Sequence, residues 1–240
     1  MLVAAAVCPS APLLVPAVAA GAAPELDAAR AACTDALGVL AASRPDRLVV
    51  VGPADGPGES EPYPQGTLGS FRGFGVDLDV RLGPGTDEGA PAGRELPPSL
   101  AVAAWLLART GWSTAPPAGL AVGEALAAER CLAAGAEIGA RADRVALLVM
   151  GDASACRTLK APGYLDERAA GFDAAAGRAL GTADVGALKA LDADLAHELK
   201  AAGRAPWQVL AGAADGAALS GELLYEDAPY GVGYLVAAWS

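Results

Sequence analysis

The chain is nearly without histidine: His197 is the one imidazole in 240 residues. A His-rich metal centre, or a serine relay with a positioned imidazole base, would have to be built on that residue alone. Aromatic residues are scarce as well, at 5%, so the interior must be made from Ala, Val and Leu. The cysteines Cys8, Cys33, Cys131 and Cys156 form no Cys-x-x-Cys pair. That excludes the usual zinc-ligand spacing and points to a reduced, cytoplasmic compartment. Basic residues are the minority, 17 against 28 acidic ones, for a net charge of −11. Such an acidic surface repels phosphate backbones and anionic bilayers, so neither nucleic acid nor membrane is an expected partner. Long clean apolar runs are missing too, so no segment is read as spanning a bilayer. The apolar stretch Met1 to Ala23 has no Lys or Arg before Arg30 and is broken by Pro9, Pro12 and Pro16, unlike a secretory signal. The glycine-rich loops lack G-x-G-x-x-G and Walker spacing, which leaves nucleotide binding without a motif.

What is present is a 53% hydrophobic chain with strand and helix patterns in alternation. Leu2 to Cys8, RLVVVG from Arg47 and RVALLVM from Arg144 are short continuous apolar runs and read as buried strands. Phe74 to Leu82 alternates strictly and reads as a half-exposed strand. A short strand is expected near Gly119 to Val122, and two more around a turn at Asp227-Ala228-Pro229. Helices are expected from Pro24 onward, at Ser99 to Arg109, from Glu124 to Arg141, Leu165 to Leu180, Asp184 to Ala202 and Ala205 to Ala214. On the Asp184 helix, Leu188, Leu191, Leu195 and Leu199 form one stripe and His197 points away from it, as a solvated side chain would. The expected fold is one α/β/α sandwich domain over residues 1–240 with a mixed central sheet.

Ligands of open α/β sheets bind beyond the carboxyl ends of the strands. Three such ends carry reactive groups here: Cys8 and Ser10; Asp55, Glu59 and Glu61; Asp152, Ser154 and Cys156. The tail adds Glu222, Tyr225, Glu226, Asp227 and Tyr230. Asp152 and Ser154 are the candidate catalytic pair. GDASAC around Ser154 is half of a nucleophile elbow without its second glycine or a base. Cys8 and Cys156 could act as thiolates, although a cysteine at an apolar strand end is more often simply buried. Asp55, Asp152 and Glu226 could hold Mg²⁺ or Ca²⁺, or be solvated loop acids.

The segments CPSAPLLVP, RPDRLVVVGP, MGDASACRTLKAPGYLDERAAGFD and YEDAPYGVGYLVAAW, which span nearly the whole chain, resemble the class III extradiol ring-cleavage dioxygenases, in the branch near the protocatechuate-type catalytic subunit and Memo-like proteins. The resemblance implies that family's sandwich fold and, in active relatives, Fe(II) held by two His and a carboxylate. In this chain Ser10 takes the place of the first ligand His, and Ala54 and Asp55 that of the second. Ser154 and its neighbours stand where the acid–base His would be. Glu226 matches the carboxylate, with Glu222 the alternative. Ser10, Asp55 and Glu226 are thus vestigial metal positions, and no cofactor is expected.

The resulting expectation is a degenerate family member that binds a small ligand or a protein partner through a pocket of Cys8, Ser10, Asp55, Ser154, Cys156, Glu226 and Tyr230. Two alternatives stand beside it. One is an enzyme with an altered Asp/Glu/Cys or non-iron site. The other is a non-catalytic subunit paired with a His-bearing homologue. A homo-oligomer is compatible with each.

Overall fold

The apolar runs form the middle of a sheet, and their continuity reflects burial on both faces. The computed structural model describes residues 1–54, 56, 59–85 and 94–240. The strands are β1 (Leu2–Cys8), β2 (Arg47–Pro53), β3 (Glu61–Tyr63), β4 (Leu68–Ser70), β5 (Asp79–Arg81), β6 (Pro117–Val122), β7 (Val145–Met150), β8 (Gly221–Asp227) and β9 (Tyr234–Trp239). The helices are α1 (Pro16–Ala19), α2 (Asp27–Ala42), α3 (Pro98–Arg109), α4 (Ala128–Gly139), α5 (Ala169–Gly181), α6 (Val185–Lys189), α7 (Ala193–Glu198) and α8 (Arg204–Ala213).

Seven strands make one sheet in the order β3-β6-β2-β7-β1-β9-β8, and β4 and β5 pair separately. The central four, β6, β2, β7 and β1, are parallel. The pairs β3–β6, β1–β9 and β9–β8 are antiparallel. The expected α/β sandwich with a mixed sheet is therefore the fold observed. Ala4, Ala6, Cys8, Val50, Leu148 and Met150 face α2 and α3. Ala5, Val7, Val51, Leu147 and Val149 face α5 and α8. This double burial is why these strands read as unbroken apolar runs rather than as alternation. No helix among the described residues is long and apolar enough to cross a membrane.

Three local expectations are corrected. The alternating segment Phe74 to Leu82 is extended only at β5. Arg72–Phe74 is a 3₁₀ turn, and Gly75 stops it at φ +79°. Arg72 also bridges Asp77 and Asp79 at 3.0 and 2.6 Å, which ties the alternating charges into a turn. The helix expected from Asp184 to Ala202 is two short ones. The first ends at Lys189, and Asp192 caps the second by accepting from the Asp194 and Leu195 amides, as Asp does at helix starts. The leucine stripe survives the break: Leu188 and Leu199 are fully buried and His197 is exposed. The helix read from Leu165 begins at Ala169, because residues 155–168 form a loop instead.

Helices α4 and α8 approach backbone to backbone. A Cβ on Gly135 would collide with the Val209 carbonyl, and one on Gly212 with the Leu132 carbonyl. No side chain can give way there. Gly135→Ala is expected to cost about 1–3 kcal/mol, lowering Tm by about 2–12 °C in a domain of this size. Gly38 on α2 has open space around it, so Gly38→Ala should instead raise Tm slightly. Calorimetry of both variants checks this, and shifts of equal sign would contradict the packing described.

Candidate functional site

Strands β1 and β7 are parallel neighbours with Cys8 opposite Met150. The chain therefore leaves the sheet at two adjacent points, and residues two steps beyond each strand meet. Those residues are Ser10 and Asp152. The Ser10 amide donates to Asp152 Oδ1 at 2.9 Å, and its hydroxyl donates to Oδ2 at 3.0 Å. The backbone between them is close-packed: the Gly151 amide donates to the Cys8 carbonyl at 2.9 Å, and a Cβ on Gly151 would run into the backbone of Gly203.

Asp152 is partly buried, and burial pushes its carboxyl up to about 6, opposed by the Ser10 hydroxyl and amide and the Ala11 amide. Removal from water disfavours the charged form, while donated hydrogen bonds favour it. Here removal from water wins, and the group titrates where biological proton transfers occur.

Tyr234, the first residue of β9, completes the cluster. It is 1% exposed. Burial holds its phenol well above the usual tyrosine range, and Asp152, Tyr230 and Tyr225 add to the effect. It packs with Ala11 and Leu26, flanked by Leu13, Tyr225, Tyr230 and Val232. The Tyr230 hydroxyl donates to Glu25 Oε2 at 3.0 Å, and the Tyr225 hydroxyl lies 3.5 Å from Asp227 Oδ2.

The remaining candidate residues do not join this cluster. Ser154 is fully buried, and its amide and hydroxyl donate to the Asp173 carboxylate of α5 at 2.8 and 2.9 Å. Arg157 pairs with the same carboxylate at 2.9 Å. The network is closed, and Gly233 presses against it so that a Cβ would meet Asp173 at 2.5 Å. Ser154 thus serves Asp173 as a donor and does not join Asp152. Glu226 is exposed and in register with Leu235, which belongs to the α5 side of the sheet. Its carboxylate lies over Gly177 of α5. The sheet therefore separates Glu226 from Ser10, Asp152 and Tyr234. The common cleft expected for Ser10, Ser154 and Glu226 is not formed, and Asp152 and Glu226 cannot share a cation. Asp55 lies outside the described residues.

The cysteines are not reactive thiols. All four are buried and unpaired as disulfides. Cys8 lies beside Cys33, and that thiol together with burial holds it well above its ordinary range. Cys156 donates to the Leu199 carbonyl at 3.5 Å, and burial raises it too. A thiolate is disfavoured at Cys8 and Cys156. Tyr230 does belong to the Ser10 side. Two cavities, of about 430 and 700 Å³, lie elsewhere: one beside Tyr63, Phe74 and Pro97, the other between β5 and Trp105 and Trp112 of the α3 end.

No protein-family model matches the chain, and no curated protein matches it. Its backbone is similar to a solved structure. That is the crystal structure of the uncharacterized protein JW3007 from Escherichia coli K12, with 14% identity, 99% of each chain covered and a TM-score of 0.61. The likeness extends the fold over the full length and carries no activity with it.

Sequence reasoning missed Tyr234, Asp173 and Arg157. The tail held no parity signal for Tyr234, because every residue of β9 is buried.

The titration of Asp152 has a definite sign. Its folded value of about 6 lies above the ordinary 3.8. Its contribution to stability is therefore complete below about 3.8 and is lost as pH rises through about 6. Asp152→Asn should gain about 1–3 kcal/mol relative to wild type between pH 4 and pH 7.5. Ser10→Ala, which removes a donor to the carboxylate, should move the Asp152 midpoint above 6. Urea unfolding at the two pH values and carboxyl-carbon NMR titration measure these. A midpoint near 4, unmoved by Ser10→Ala, would contradict the arrangement.

Proposed function

We propose that the protein is a ligand-binding relative of the class III extradiol dioxygenases that no longer builds their iron site. The motif resemblance supports the kinship, and the carrying observation is Asp152, which accepts two hydrogen bonds from Ser10 at the carboxyl ends of two central strands while burial pushes its carboxyl up to about 6. The position is where ligands of open α/β sheets bind.

The side chains present do not suit Fe(II). Ser10 stands at the first ligand position, but its amide and hydroxyl are both engaged with Asp152. Glu226 is on the other side of the sheet, and His197 is exposed on α7. Among the described residues no three of His, Cys, Asp and Glu converge as a metal-binding group. Fe(II) in this coordination chemistry needs imidazole and carboxylate ligands directed at one point.

A second reading, an enzyme with altered chemistry, is favoured by one observation: a carboxyl raised to about 6 at a strand end. Asp152 would accept a proton from a bound hydroxyl or amine, and Tyr234 would orient the substrate. The buried, unpaired thiols support a reducing, cytoplasmic setting.

Anaerobic incubation with Fe(II), desalting, metal analysis and oxygen uptake with catechol or protocatechuate test the proposal. The expected result is far less than one iron per chain and no oxygen consumption above the iron-only blank. One iron per chain with ring cleavage would overturn it.

A further inference from the structure

The cavity of about 700 Å³ at the end of α3 lies at the other edge of the sheet from Asp152. Helix α3 starts beside the carboxyl end of β2, where the Ser99 hydroxyl donates to the Pro53 carbonyl at 2.6 Å. It runs back along the sheet to the level where Leu48 of β2 pairs with Pro117 of β6. Trp105, Ala108 and Trp112 follow at steps of three and four, along one face of the helix and the turn after it. They line the cavity with Leu78, Val80 and Leu107. Trp112 is fixed before any ligand arrives. Gly111 turns the chain at φ +64°, and the Trp112 amide donates to the Leu107 carbonyl at 2.9 Å, as at a glycine helix stop. The Trp112 indole N–H donates to the Ala115 carbonyl at 2.8 Å.

The charged groups on the wall are already engaged. Asp79 pairs with Arg72 at 2.6 Å, and Arg81 donates to the Gly66 carbonyl at 3.1 Å. Arg109 differs. It is exposed, its guanidinium sits 5.6 Å from the centroid of the Trp105 ring, and it forms no ion pair with a described residue. A net charge of −11 repels anions at a distance, so a preference for one must come from a cation in direct contact with it. A guanidinium fits a carboxylate in that role. The body of the ligand follows from the walls. Indoles stack on flat rings, and small-ligand pockets span about 300–1,000 Å³. A single six-membered ring would leave most of this cavity empty.

We propose that the cavity between β5 and the Trp105–Trp112 end of α3 binds a fused-ring aromatic carboxylate, its rings against the two indoles and its carboxylate on Arg109. This site is separate from the strand end at Asp152 and does not depend on how that end is read.

Three probes of one shape decide it: 2-naphthylacetate, neutral 2-(2-naphthyl)ethanol and 2-(2-naphthyl)ethylammonium. Each is titrated into the ¹⁵N-labelled full chain at neutral pH while the indole N–H signals of the four tryptophans are followed. Trp207 and Trp239 are 0% exposed in the core on the other face of the sheet and serve as internal controls. The carboxylate is expected to shift Trp105 and Trp112 and not the controls, with an affinity at least about fivefold above either other probe, the scale of one charge-assisted hydrogen bond at an exposed rim. Arg109→Gln, a surface change that leaves the core intact, should abolish that preference and leave the neutral probe's affinity unchanged. Equal affinity for the neutral probe, or a preference that survives Arg109→Gln, would overturn the assignment. So would the absence of Trp105 and Trp112 shifts up to about 5 mM, a range that covers weak binding. Shifts at these two indoles on raising protein concentration alone would mark the face as a contact between copies of the chain and would equally overturn it.

Discussion

The two hydrogen bonds from Ser10 to Asp152 fix what the carboxyl end of this sheet can do. They tie the exit of β1 to the exit of β7, the two adjacent parallel strands at the centre of the fold. They also engage both donors of Ser10, the amide and the hydroxyl. Asp152 is thereby held partly out of water, with its carboxyl pushed up to about 6.

The sheet divides the remaining polar groups by parity. Side chains alternate across a strand, so a one-residue difference sends a group to the opposite layer. Asp152 and Ser154 are two apart, yet the backbone leaves β7 after Met150, and Ser154 turns to Asp173 on α5. Glu226 and Tyr225 are adjacent on β8 and fall to different sides: Tyr225 toward α2, Glu226 toward α5. Two similar devices result, each a serine donating through amide and hydroxyl to one aspartate. The one at Ser10 faces the tyrosines. The one at Ser154 is sealed by Arg157 and Gly233 and stabilises the packing of α5.

The sandwich was legible because its central strands are buried on both faces and so appear as unbroken Val/Leu/Ala runs. The stripe of Leu188 to Leu199 was legible for the same reason, even though Asp192 splits its helix. Of the site, Ser10, Asp152 and Tyr230 were legible as polar groups at strand ends. Which of them meet was not, because that depends on register between β1 and β7 and on the face taken by each residue of β8 after the irregularity between Leu223 and Tyr225. Burial of the thiols and the capture of Ser154 depend on tertiary neighbours tens of residues away, which no local pattern records.

The central claim is that Ser10 is coupled to Asp152 and not to Glu226. Double-mutant cycles in urea unfolding at pH 7.5 measure this directly, with Ser10→Ala combined in turn with Asp152→Asn and Glu226→Gln. The account predicts a coupling of about 1–2 kcal/mol for the first pair, within the range for hydrogen bonds to a charged group, and less than about 0.5 kcal/mol for the second. A coupling of Ser10 to Glu226 as large as that to Asp152 would contradict it.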